Sequence, residues 1–128
     1  MNWNLLGLVM AGGALGAAFR HLLGGWLLRH VGNGMPWGTL AANLIGSFAA
    51  GFLFSWLESR GPHALYWRAF LIVGVLGAFT TYSALMLECL LYTRTGRFGP
   101  LFSYLAITLI VGFALIWVGA RLGDFLRT

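Results

Sequence analysis

The sequence predicts an all-α membrane protein of four transmembrane helices. Three observations predict it: the composition, the spacing of the apolar segments, and the placement of aromatic and arginine residues at their ends. Of 128 residues, 59% are hydrophobic and only 9% are charged, against roughly 25% charged in soluble domains. The mean hydropathy is +0.83. A soluble domain of this size buries only about 60–70% of the surface its unfolded chain exposes, so the bilayer is the natural solvent. The basic residues are all arginine, scattered singly between apolar runs. The formal charge of +5 therefore points to lipid headgroups and not to nucleic acid, which needs a basic patch.

The apolar segments run from about Trp3 to Leu28, Trp37 to Leu57, Ala69 to Tyr92 and Leu101 to Leu122. Each has roughly 20 residues or more, enough to cross a ~30 Å hydrocarbon core. Trp3, Trp26, Trp37, Trp56, Trp67 and Tyr92 fall near segment ends, as an aromatic belt requires. The breaks between segments carry Gly, Pro, Asn and Arg, the usual loop punctuation. Residues 1–128 are expected to form a single transmembrane domain, with no room among them for a second.

The first segment begins Met1-Asn2-Trp3-Asn4 without a basic region, so a retained helix is expected and not a signal peptide. Gly12 and Gly16 are four apart, as are Gly13 and Ala17. Gly46 with Ala50, and Ser47 with Gly51, repeat the spacing on the second segment. Small residues at this spacing let helix backbones approach closely in lipid. Arg20 lies about two thirds of the way along the first helix, at a depth similar to that of Glu88 on the third. A salt bridge between them is one reading, and snorkelling of Arg20 to phosphate is the other.

On the second segment Thr39, Asn43 and Ser47 recur every four residues and share one face. Polar side chains at this depth are functional candidates, although hydrogen bonds between helices would also account for them. On the third, Gly74-Val75-Leu76-Gly77-Ala78-Phe79-Thr80-Thr81-Tyr82-Ser83 gathers poor helix formers at the segment midpoint. A break there frees backbone carbonyls at the bilayer centre, tolerated only where protein covers them or they line a cavity. An unbroken helix with threonine hydroxyls bonded to the previous turn is the alternative. On the fourth, Tyr104, Thr108 and Gly112 share a face at successive four-residue steps, forming either a polar track or helix glue.

With the N-terminus on side A, Arg60, Arg68, Arg121 and Arg127 lie on that side. Arg29, Arg94 and Arg97 lie on side B, with Arg20 leaning that way. The positive-inside rule gives no clear vote. A chain that inserts both ways up forms an antiparallel dimer with a two-fold axis in the membrane plane.

Catalytic machinery is not visible: there is no P-loop, no HExxH and no serine–histidine–acid arrangement. His21, His30 and His63 lie near interfaces or in loops without metal spacing. Cys89 is the only cysteine and sits within an apolar run, so no intrachain disulfide forms.

Three stretches now coincide, in order. They are Gly12-Gly13-Ala14-Leu15-Gly16-Ala17-Ala18-Phe19-Arg20, then Gly38-Thr39-Leu40-Ala41-Ala42-Asn43-Leu44-Ile45-Gly46-Ser47-Phe48, then residues 74–85 ending Thr80-Thr81-Tyr82-Ser83-Ala84-Leu85. In a four-helix chain of this length they resemble the CrcB/Fluc fluoride channel family over nearly the whole sequence. The resemblance implies an antiparallel, dual-topology homodimer in the bacterial cytoplasmic membrane, with two pores that let fluoride leave passively. It implies a Na⁺ on the dimer axis held by backbone carbonyls at Gly77 and Thr80, with Asn43 donating to fluoride. It also implies a pair of phenylalanine rings per subunit whose edges touch the anion. Here those positions are Tyr82, which keeps a ring, and Leu85, which does not. Either conduction tolerates the loss, or fluoride moves poorly, or this chain pairs with a complementary subunit in a heterodimer, or the sequence is an engineered variant.

Asn43, Ser83, Thr39, Thr108 and Tyr104 are the candidate donors to fluoride, and all are neutral. Neutral donors replace hydration without trapping the ion. Arg20 and Glu88 are expected to serve structure or the vestibule. Two alternatives belong to other classes. A small multidrug-type exporter needs a carboxylate in its first helix, where this chain has Arg20. A scaffold subunit would move no ion.

Overall fold

The computed structural model describes residues 1–127. It contains four helices long and apolar enough to cross a membrane: α1 Trp3–His30, α2 Trp37–Trp56, α3 Ala64–Arg94 and α4 Phe98–Arg127. The expected segments are all present, and every one except α2 extends outward into the polar flanks. Asn2 starts α1, its side chain accepting from the Asn4 and Leu5 amides at 3.0 and 3.2 Å, which satisfies two of the donors left open at a helix start. Pro36 stands immediately before α2, whereas Pro100 lies inside the first turn of α4, where a missing N–H costs little. Each of the three connections contains one glycine in the left-handed region: Gly32, Gly61 and Gly96, at φ 98°, 77° and 71°.

Two helix pairs build the bundle. α2 packs along the second half of α4, and α1 along the first half of α3. A Cβ on Gly12 or Gly16 would land on the Phe70 or Val75 carbonyl of α3, and one on Gly51 or Gly119 would land on the Ile116 or Phe48 carbonyl across the α2–α4 seam. These contacts leave no space for a side chain, as van der Waals packing in lipid favours. Gly13, expected to mark a contact with Ala17, instead faces open space.

The buried apolar cluster is small. It comprises Leu40, Leu85, Tyr92, Leu101 and Tyr104, with Cys89 packed against it as filler. Most other large apolar residues are exposed, the pattern expected when lipid and not protein covers the helices.

Two departures from α-helical geometry lie inside the spans. Nine residues of α3, Arg68–Leu76, and five of α4, Ile107–Val111, form π-helix, which is uncommon and occurs mostly as single-turn insertions near functional sites. Further along α3 the backbone becomes extended at Thr80 and Thr81, with a bend of 15° there. The expected interruption is therefore present, and the two halves remain nearly coaxial.

Candidate functional site

The interruption in α3 organises the site. Thr80 has φ −82°, ψ 158° and Thr81 φ −152°, ψ 124°, so neither continues the helix. The Thr81 N–H, which in an unbroken helix would reach the Gly77 carbonyl, donates to Asn43 Oδ1 at 2.8 Å. Asn43 Nδ2 returns a hydrogen bond to the Thr81 carbonyl at 3.1 Å. The side-chain amide thus pairs with Thr81 as a neighbouring strand would, using one of its two N–H groups and leaving the other. Thr81 Oγ1 accepts from the Ala84 amide at 3.2 Å and caps the second half-helix. On the other flank Arg20 Nε donates to the Ala78 carbonyl at 3.2 Å, where the first half-helix ends and its carbonyls need partners. Thr80 Oγ1 bonds back to the Leu76 carbonyl at 2.8 Å.

A cavity of about 390 Å³ opens beside this junction, and Asn43, Gly77, Thr80, Tyr82, Leu85 and Thr108 all border it. Three helices therefore bring six of the expected site residues to one place. Tyr82 stands at its rim, 74% exposed on the single chain, while Leu85 is 6% exposed and belongs to the buried cluster. Ser47 also lines the cavity, with its hydroxyl donating to the Asn43 carbonyl at 2.7 Å. Thr108 bonds to the Tyr104 carbonyl at 2.8 Å. Ser83 is not brought to this cavity; it lies on the exposed surface of α3.

Thr39, Tyr104 and Glu88 meet nearer side B. The Thr39 hydroxyl donates to Glu88 Oε1 at 2.6 Å, and the Tyr104 hydroxyl donates to Glu88 Oε2. The Arg20–Glu88 salt bridge, one of the two readings their depth allows, is not formed. Both border a second cavity of about 480 Å³, but Arg20 is committed to the α3 break and Glu88 to the two hydroxyls. The physical reason is local. Each charge has a fixed hydrogen-bonding partner at its own level, and a carboxylate holding two hydroxyl donors is already well solvated by protein. Depth along each helix hinted at this cluster, since Thr39, Tyr104 and Glu88 all lie near side B. Rotation about the helix axis, which the sequence leaves open, decided it.

At the surface, Arg127 pairs with Glu58 at 3.2 Å and with Asp124 at 3.4 Å. Sequence reasoning missed both, and the three-residue spacing of Asp124 and Arg127 was the available signal.

Comparison with known proteins gives a consistent picture. A family model described as "CrcB-like protein, Camphor Resistance (CrcB)" matches residues 7–120. A protein of Xanthomonas axonopodis pv. citri named "Fluoride-specific ion channel FluC" is 52% identical over 126 residues, covering 98% of this chain and 95% of that relative. One of the same name from Xylella fastidiosa is 52% identical over 123 residues, 96% of this chain and 86% of the relative. Another from Agrobacterium fabrum is 40% identical over 118 residues, 92% and 94% of the two chains. The likeness thus runs through all four helices and through the polar junction they build, and on that ground the chain belongs to the CrcB-like protein family.

Proposed function

We propose that the chain is a fluoride channel, working as an antiparallel dimer with two pores in the cytoplasmic membrane and releasing the anion passively down its gradient. The observation that carries this reading is the convergence of Asn43, Thr80 and Thr108 on one cavity at mid-membrane. Fluoride is small and strongly hydrated, so a path must offer donors in place of water. The unspent N–H of Asn43 is such a donor, fixed in direction because the rest of its amide is held by Thr81. Nearer side B the hydroxyls of Thr39 and Tyr104 donate to Glu88, so the single proton of each is held by the carboxylate and Asn43 keeps the free donor. Neutral groups let the ion leave as well as enter. The name borne by the relatives, fluoride-specific ion channel, supports the choice of anion.

A polar cavity at the outer face of a single chain is costly in hydrocarbon, and a second copy, inverted, is the simplest cover. The balanced arginine tally supports that arrangement. A homodimer needs no further component, and a heterodimer would supply the ring missing at Leu85. The Gly77 carbonyl has lost the Thr81 amide to Asn43, and a Cβ on Gly77 would meet only the Ile72 carbonyl at 3.7 Å. With Thr80 it offers uncrowded oxygen donors, which suit a hard cation such as Na⁺. Bound there, Na⁺ would add positive potential near the anion path.

Fluoride is the base of a weak acid: it enters cells as neutral HF, which ionises inside, so a passive exit for the anion suffices for protection. Expression in a bacterium stripped of its own fluoride exporter is expected to restore growth on fluoride at acidic pH. Cells that remain as sensitive as the empty-vector control, with the protein present in the membrane, contradict the proposal.

A further inference from the structure

At the end of the bundle away from Glu88, the turn between α2 and α3 folds over a cavity of about 450 Å³. Its walls are Trp56, Leu57, Trp67 and Leu71, and its remaining lining residues are Arg60 and His63. Gly61, at φ 77°, reverses the chain here. The Arg60 guanidinium lies 4.2 Å from the Trp56 ring centroid, and its Nε donates to the Trp56 carbonyl at 3.3 Å. Its other N–H groups remain, and Arg60 forms no ion pair among the described residues. The acid of the same turn, Glu58, is drawn to Arg127 at 3.2 Å, and no carboxylate lines the cavity.

We propose that this cleft binds one anionic phospholipid. Its phosphate would lie on the Arg60 guanidinium beside His63, and its first acyl methylenes between Trp56 and Trp67. Three features fit that occupant. Tryptophans mark the level where headgroups give way to hydrocarbon. A planar guanidinium held on a ring presents a preorganised fork to phosphate. The walls are apolar, so a chainless anion would leave them unfilled, whereas a zwitterionic lipid sets its own ammonium beside the phosphate and so against the arginine. The inference is independent of what the channel conducts.

The test is native mass spectrometry of the purified full chain in a neutral detergent, with equimolar dioleoyl-phosphatidylglycerol and dioleoyl-phosphatidylcholine. A single well-placed arginine is expected to favour the anionic lipid about fivefold. Arg60→Gln, at an exposed position, should bring the two lipids to parity without lowering the melting temperature. Leu71→Trp, filling the cleft, should reduce both adducts. Arg94→Gln at the other end of α3 should keep the preference. Parity in the unmodified protein, a preference that survives Arg60→Gln, or an equal loss in Arg94→Gln would overturn the site. So would displacement of the lipid by glycerol phosphate, which would mark a free-anion site.

Discussion

Asn43 divides its amide between a backbone and the cavity. Its oxygen and one N–H close the backbone of Thr81 at 2.8 and 3.1 Å, and its second N–H is unspent, the donor that the proposed channel would present to the anion. Replacing it by aspartate removes both donors and sets a negative oxygen against the Thr81 carbonyl. An unsatisfied buried group costs about 1–3 kcal/mol, more when charged. Asn43→Asp is therefore expected to lower the melting temperature in detergent and to reduce fluoride efflux from liposomes to the protein-free leak. Efflux unchanged from the parent would remove Asn43 from the path. Leu85 poses the opposite question. It is buried against Leu40, Tyr92, Leu101 and Tyr104, yet it borders the cavity of about 390 Å³, so a larger side chain has space to turn into. Leu85→Phe restores a ring whose positive edge can meet an anion, and the electrode trace should show a rate equal to or above the parent's. A collapse would mean that overpacking, typically about 1–3 kcal/mol, has distorted the Tyr104 side. At this scale the sequence marked Asn43, Thr39, Tyr104 and Glu88 as polar groups at membrane depth. It did not show that Glu88 pairs with hydroxyls while Arg20 caps Ala78, because partner choice depends on helix rotation and on the carbonyls a break exposes.

Among elements, the glycine seams and the π turns decide which faces meet. On α1, Gly16 sits against the Val75 carbonyl while Gly13, one turn away, faces open space. Gly16→Ala should destabilise the bundle by about 2 kcal/mol or more, as core overpacking does. Gly13→Ala should be neutral or slightly stabilising, since alanine favours the helix by about 1 kcal/mol. Melting curves that rank the two the other way would contradict the α1–α3 packing. The four-residue spacing pointed to both glycines and could not tell them apart. The π segment at Ile107–Val111 was invisible in the sequence, yet it has a geometric effect. In a regular helix, Gly112 would sit about 80° round from Tyr104, and one extra residue in the turn takes back about 100°. Tyr104 and Gly112 then face α2 within about 20° of each other, consistent with Tyr104 packing with Leu40 and Gly112 lying near Ser47 and Leu44.

For the molecule as a whole, helix number was legible because bilayer thickness acts on the length of the apolar runs, whereas composition marked only where α3 could break and left an unbroken helix open. The proposed antiparallel assembly rests on the charge balance between the two ends. In an Asn2→Cys variant lacking Cys89, an impermeant maleimide applied to whole cells should label about half of the N-termini. Labelling of all or none would exclude insertion in both directions. The account rests most heavily on fluoride crossing through neutral donors at mid-membrane. The measurement that tests this most directly is ion-selective-electrode recording of liposomes holding the purified chain, loaded with equal fluoride and chloride and diluted under a K⁺ gradient with valinomycin in Na⁺ buffer. The account predicts rapid, protein-dependent release of fluoride while chloride stays inside; vesicles that retain both ions, or lose both together, contradict it.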